Sequence, residues 1–114
     1  MKRFASHYVY TPSFGFLKQH VVEINDEGYV VSLYRLEEEI ESIIWTPGVI
    51  RLVPSDCLPE QALIFEKPEI RTNSVDSKNI DSLKLSAVRL YPFNFVEMKS
   101  TADTVIQLLD NSVI

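Results

Sequence analysis

The 114-residue sequence predicts a single, mainly β domain, either a small antiparallel β-sandwich or a partly open barrel, with one C-terminal helix. Three observations support this prediction. Short segments rich in aromatic and β-branched residues recur along most of the chain, separated by turn residues. Two of these segments flank an Asn-Asp-Glu-Gly sequence that is typical of a hairpin turn. Apolar residues at helical spacing occur only near the C-terminus.

The first third of the chain is predicted to form strands over residues 3–10, 16–24 and 29–36. The four residues 25–28 connect the second and third of these strands. They end in Gly28, which suits a positive φ and commonly closes a hairpin built on a type I turn. We therefore predict that a β-branched residue at this position destabilises the fold.

The middle of the chain is interrupted by turn residues. Residues 37–42 form an acidic patch, which we interpret as either a short helical turn or an exposed edge. The apolar segment 43–53 contains Pro47 and Gly48, and we expect these to divide it into two short strands.

The following part of the chain is predicted to be mostly a connecting segment. Residues 54–80 are rich in turn residues and charges and hold one apolar run, 62–65, which we predict to be a short strand. Residues 83–91 have the composition of another strand, and we expect Pro92 to end it.

The C-terminal residues 100–110 are predicted to form a helix that packs on the sheet, and a partner-binding helix is the alternative. Ser100 and Asp103 have the spacing of a capping box. The apolar stripe of this helix would consist of Ala102, Val105, Ile106, Leu108 and Leu109.

Composition excludes several classes of function. The net charge is −5 and the eleven basic residues are scattered, so binding to nucleic acid is not expected. The single cysteine cannot form an intramolecular disulfide. No apolar run approaches the ~20 residues of a membrane helix, and the first residues do not resemble a signal peptide. We expect a cytoplasmic protein that does not bind membranes.

The chemically reactive residues do not form a recognisable catalytic or metal-binding pattern. His7 and His20 have no obvious third ligand, so ordinary surface or packing roles are favoured over a metal site. Cys57 has no neighbouring base that would activate a thiolate. The acidic run at 37–41 is interpreted as a solvated surface, and Trp45 as a core or interface residue. No catalytic, cofactor-binding or metal-binding residue is predicted.

Two stretches of the sequence resemble the accessory β-sandwich domain of the amidohydrolase superfamily. The first stretch contains the hairpin VVEINDEGYVVSLYRL, followed by Pro-Gly-Val-Ile, and the second is NIDSLKLSAVRLYPF. Residues 1–55 and about 80–92 resemble the two halves of that domain, and residues 56–80 would connect them. The order and spacing of the motifs carry the resemblance.

The resemblance also implies a loss of catalysis. In those enzymes the Pro-Gly motif leads into His-x-His, which holds the catalytic metal. Here Arg51 stands at the preceding Asp/Asn position, and Val53 and Ser55 stand at the two histidine positions. Neither valine nor serine can replace an imidazole as a ligand. The catalytic barrel is missing as well, so no metal and no hydrolase activity are implied.

We therefore expect a non-catalytic interaction or assembly module, which self-associates or binds a protein partner. Loss of the barrel would leave an apolar surface that must be covered. The candidate interface residues are Trp45, Val105, Ile106 and Leu109. The alternative is a small-molecule-binding domain with a cavity between the sheet and the C-terminal helix. An enzyme of another kind, using the histidines or Cys57, is the least favoured hypothesis.

Overall fold

Two β-sheets form the structure, which is a computed structural model. The residues that it describes are 2–11, 14–36, 42–55, 70–71, 77–78, 80 and 84–109. Eleven strands lie in these ranges: β1 (Lys2–Ala5), β2 (Tyr8–Thr11), β3 (Gly15–Lys18), β4 (His20–Ile24), β5 (Val30–Arg35), β6 (Ile43–Trp45), β7 (Val49–Pro54), β8 (Ile70–Arg71), β9 (Ser77–Lys78), β10 (Leu85–Asn94) and β11 (Lys99–Leu109).

The two sheets are mixed, whereas the sequence predicted an antiparallel arrangement. Sheet A has the strand order β6-β1-β4-β5-β9, and sheet B has the order β11-β10-β7-β2-β3-β8. Most pairs are antiparallel, but β1–β6, β2–β7 and β3–β8 are parallel. In each of these three pairs, a strand from later in the chain lies beside one of the first three strands and runs in the same direction.

The N-terminal hairpin bends from one sheet into the other. Lys2 pairs with Ile24 in sheet A, and Tyr8 pairs with Lys18 in sheet B, in the same continuous register. Each predicted strand is thus divided into two, and the bend separates β1 from β2 and β3 from β4. Gln19, at the bend of the second strand, has a positive φ of 56°. A shared corner of this kind is a usual way for strands to pass between packed sheets.

A third segment follows the same corner. Arg3 lies beside Ile43 and Tyr8 lies beside Val49, so the offset between partners grows from 40 (43 − 3) to 41 (49 − 8). The extra residue is accommodated at Gly48, where φ is 105°. The predicted division of 43–53 at the Pro-Gly pair is confirmed by β6 and β7.

The predicted hairpin between β4 and β5 is confirmed in detail. The Gly28 N–H donates to the Asn25 carbonyl over 3.0 Å, and Gly28 has a φ of 90°. The Asn25 side-chain oxygen accepts bonds from the N–H groups of Glu27 and Tyr29. These contacts are typical of a type I turn followed by a glycine in the left-handed region.

Strand β10 extends beyond its predicted end. It runs through Pro92 to Asn94, and its register with β11 shifts between Tyr91 and Phe93. Proline cannot donate to the ladder, and a bulge is one of the places where a strand tolerates it. The predicted short strand at 62–65 and the acidic patch at 37–41 lie outside the described residues.

The predicted C-terminal helix at 100–110 is wrong for the described residues, because Lys99–Leu109 form strand β11. The proposed capping box is not formed: the Asp103 N–H donates to the Thr101 hydroxyl, and the Thr104 hydroxyl donates to the Pro92 carbonyl. Four β-branched residues between 101 and 106 favour a strand. The long adjacent strand β10 supplies an edge for pairing.

The hydrophobic core lies between the two sheets, as in a β-sandwich. It contains residues from both, including Phe4 and Val22 of sheet A and Val9, Ile50 and Leu109 of sheet B. Alternate residues of sheet B, together with Met98 in the turn between β10 and β11, form a second buried apolar cluster on its other face. The sheet residues are Tyr10, Phe16, Val49, Val53, Val88, Leu90 and Phe93.

The outer face of sheet A carries an ion pair. The Arg3 guanidinium contacts the Glu23 carboxylate over 2.8 Å across paired strands β1 and β4. This hydrogen bond and ion pair raise the pKa of Arg3. Within the described ranges, no helix is long and apolar enough to cross a membrane.

Candidate functional site

A cleft lies beside the corner where the strands pass between the sheets. It is half open to solvent and has a volume of about 340 Å³. We call it the corner cleft. Its lining comes from the bends of both N-terminal strands, from the end of β5 and from β6: Ala5, Ser6, His7, Lys18, Gln19, Leu36 and Trp45.

Hydrogen bonds fix the backbone at the floor of the corner cleft. The buried Ser6 hydroxyl donates to the Gly48 carbonyl over 2.6 Å. The Gly48 N–H donates to Nδ1 of His7 over 3.3 Å, which corresponds to the imidazole tautomer with its proton on Nε2. The Leu36 N–H donates to the Gln19 carbonyl over 2.7 Å. The walls of the cleft are therefore tied to one another across three strands.

Aromatic rings surround His7 on two sides. The ring centroid of Trp45 lies 5.2 Å from that of His7 in an edge-to-face arrangement, and that of Phe95 lies 5.0 Å away. Phe95 also contacts Phe93, and Phe93 contacts Phe16 in the buried cluster of sheet B. A continuous row of rings thus connects the second apolar cluster to the corner cleft. Trp45 remains 56% exposed at the end of this row.

Lys18 supplies a positive charge to the cleft. Its ammonium lies 6.0 Å from the centroid of the Tyr8 ring, within range of a weak cation–π contact. The described part of the chain shows no carboxylate paired with this ammonium, and none of the described lining residues is acidic. The charge is available to an anionic group in the cleft.

His20 is buried immediately behind the cleft. Its Nδ1 lies 2.7 Å from the Lys18 carbonyl and donates to it. Burial lowers the pKa of His20, and the nearby Arg35 guanidinium acts in the same direction. The buried and hydrogen-bonded imidazole of His20 is consistent with a packing role.

A second candidate surface is the outer edge of β11. Among the described strands, only β10 pairs with β11, which ends sheet B. Val105 is 64% exposed on one face of this strand and Leu108 is 52% exposed on the other. Tyr91, the partner of Val105 on β10, is also exposed. We call Tyr91, Val105 and Leu108 together the edge surface.

The predicted interface residues are divided among different environments. Trp45 lines the corner cleft, and Val105 belongs to the edge surface. Ile106 is half-buried against the second apolar cluster. Leu109 is fully buried in the core, so its assignment to an interface is corrected. The correction follows from the strand conformation, which turns Leu109 and Leu108 to opposite faces.

Sequence reasoning did not identify Lys18 and Phe95 as site residues. Lys18 was one scattered lysine among several, and only the bend at Gln19 brings it beside Trp45. Phe95 lies in the turn directly after β10, far along the chain from His7, and its ring contacts the His7 ring only in the folded structure. The closely spaced phenylalanines at 93 and 95 were the available signal.

The positions compared with the catalytic histidines all lie on or next to β7. Arg51 and Val53 are buried, and the Arg51 guanidinium lies 4.7 Å from the centroid of the Tyr10 ring. Ser55 is exposed, and its N–H donates to the Lys84 carbonyl. The described residues contain no group of three histidine, cysteine, aspartate or glutamate side chains that could hold a metal ion. Cys57 lies outside the described residues.

No protein-family model, no curated protein and no solved structure matches this chain.

Proposed function

We propose that this protein is a non-catalytic assembly module, and that a second copy of the chain pairs with it along β11. The observation that carries the proposal is the edge surface at the end of sheet B, beside residues 105–109 of β11, which pair regularly with β10. An edge strand presents unpaired backbone donors and acceptors to any strand of suitable shape. The resemblance to a barrel-less amidohydrolase sandwich stays a prediction.

The composition of β11 favours pairing with another strand, because its second half lacks the residues that usually prevent such pairing at an exposed edge. Natural edge strands are usually blunted by charged residues, proline or short length. Residues 104–109 (TVIQLL) contain none of these charges, no proline and no glycine. Lys99, near the start of the strand, is already paired with Glu97 over 2.7 Å. Asp103 immediately precedes this segment, and a short uncharged, mostly apolar edge is stabilised when another strand covers it.

The sequence of β11 is also self-complementary in an antiparallel pair. If Val105 faces the same residue of a second copy across a two-fold axis, Thr104 faces Ile106. The pairing is centred there because residues 101–104 form a bulge, in which the N–H groups of Thr101 and Asp103 donate to threonine hydroxyls. No like charges then meet, and the central pair is apolar and β-branched, which favours cross-strand packing. This is the reason for choosing a second copy as the partner.

Sedimentation and light scattering across the micromolar range test the proposal. We expect the protein to be a dimer that dissociates on dilution. Val105→Lys places an ammonium on each edge at the two-fold axis, so this variant should be monomeric while its far-ultraviolet circular dichroism is unchanged.

Val96→Lys is the matched control. Val96 is 94% exposed in the turn between β10 and β11 and does not belong to the edge. This variant should dimerise like the unmodified protein. A monomeric unmodified protein, or a dimer that persists in Val105→Lys, would contradict the proposal.

The alternative is a small-molecule-binding domain, and the corner cleft supports it in place of the expected cavity between the sheet and a helix. The predicted cavity between the sheet and a C-terminal helix has no place, because residues 100–109 belong to a strand. The corner cleft supports the small-molecule hypothesis instead, and its chemistry can be argued independently of assembly.

A further inference from the structure

We propose that the corner cleft binds a small molecule that carries one planar aromatic group and one carboxylate. The aromatic group would pack on Trp45 and the carboxylate would pair with Lys18. This site is separate from the edge surface, so its existence does not depend on dimerisation through β11.

The aromatic half of the site is pre-formed. Trp45 is more than half exposed, although its ring is held edge-to-face against His7. His7 is in turn fixed by the Gly48 N–H and by the ring of Phe95. An exposed indole that is immobilised by neighbours can stack on a ligand without a large loss of its own conformational entropy.

The polar half of the site favours an anion. Lys18 is the charged member of the described lining, in a protein whose net charge is −5. The Gln19 amide lies next to it and can donate a second hydrogen bond to a carboxylate oxygen. A cationic ligand would meet the ammonium without a described acidic partner, so it is disfavoured.

The size of the cleft limits the ligand. A volume of about 340 Å³ lies at the lower end of the roughly 300–1,000 Å³ range of small-molecule sites. A ligand with one aromatic ring and a short acidic chain fits such a space, whereas a ligand as large as a dinucleotide does not. The half-open form implies weak binding, because part of the ligand remains in water.

The fluorescence of the protein's single tryptophan offers a direct test, since Trp45 lines the cleft. We would titrate the full chain with 3-phenylpropanoate and, separately, with its neutral amide, 3-phenylpropanamide. The carboxylate should change the emission saturably. The amide should bind about fivefold more weakly, since a partly exposed ion pair contributes up to about 1 kcal/mol.

Lys18→Gln isolates the charge, and Lys99→Gln is its control because Lys99 does not line the cleft. Lys18→Gln should raise the Kd of the carboxylate by a similar factor, about fivefold, and leave the Kd of the amide unchanged. Lys99→Gln should change neither. The proposal is overturned by an absence of saturable change, by equal binding of carboxylate and amide, or by an unchanged carboxylate affinity in Lys18→Gln.

Discussion

At the scale of single residues, Gly48 connects the two sheets. Its positive φ accommodates the extra residue between β6 and β7. Its carbonyl accepts a hydrogen bond from the Ser6 hydroxyl and its N–H donates to His7, so the backbone beside the corner cleft depends on this one residue. A Cβ atom at this position would collide with the carbonyl oxygen of Leu90 on β10. Glycine is required here both by conformation and by space.

We therefore predict that Gly48→Ala destabilises the protein by at least about 2 kcal/mol. Gly28→Ala is the matched comparison. Gly28 also has a positive φ, but it lies in a hairpin turn, and we expect the substitution to cost about 1 kcal/mol. Urea denaturation of the three proteins measures both free energies. A smaller loss for Gly48→Ala than for Gly28→Ala would show that the close approach to β10 is relieved without strain.

The sequence predicted the conformation of Gly28, but it did not predict the close contact of Gly48 with β10. The Asn-Asp-Glu-Gly segment is a local signal, so the conformation of Gly28 could be deduced from four residues. The break at Pro47 and Gly48 was also predictable. The contact between Gly48 and Leu90 joins residues 42 positions apart, and no local pattern contains that information.

At the scale of elements, β11 shows why apolar spacing alone is insufficient. Val105, Ile106 and Leu109 have the spacing of a helical stripe. The same segment is rich in β-branched residues and lies after a turn in which the Asn94 side chain accepts bonds from Val96 and Glu97 N–H groups. Pairing with β10 then decides in favour of the strand, because tertiary contacts override weak helical preference.

Two adjacent leucines test the strand conformation. Leu109 is fully buried and Leu108 is half exposed, on opposite faces of β11. Leu109→Ala should cost about 2–4 kcal/mol because it leaves a cavity in the core. Leu108→Ala should cost less than about 1 kcal/mol. Thermal or denaturant unfolding compares the two, and equal losses would contradict this placement of the segment.

At the scale of the whole molecule, sheet B contributes to a buried apolar cluster on each of its faces, whereas the outer face of sheet A combines buried apolar residues such as Val21 with the Arg3–Glu23 ion pair. The β-rich class, the first strands and the β4–β5 hairpin were predictable, since they depend on local composition and turns. The bend at Ser6 and Gln19 was not, because a continuous strand pattern does not reveal where a hairpin passes between sheets. The corner cleft could not be deduced for the same reason.

The central claim is that two copies of the chain meet along β11, and disulfide trapping tests it most directly. Cys57 is the single cysteine, so a Cys57→Ser background is free of other thiols. Directly opposite residues of an antiparallel pair have Cα atoms about 4.5–5.5 Å apart, a separation that a disulfide can bridge. We predict that Val105→Cys in this background forms a covalent dimer rapidly under mild oxidation, and that Val96→Cys remains largely monomeric. A Val105→Cys protein that stays monomeric, or that cross-links no faster than Val96→Cys, would contradict the claim.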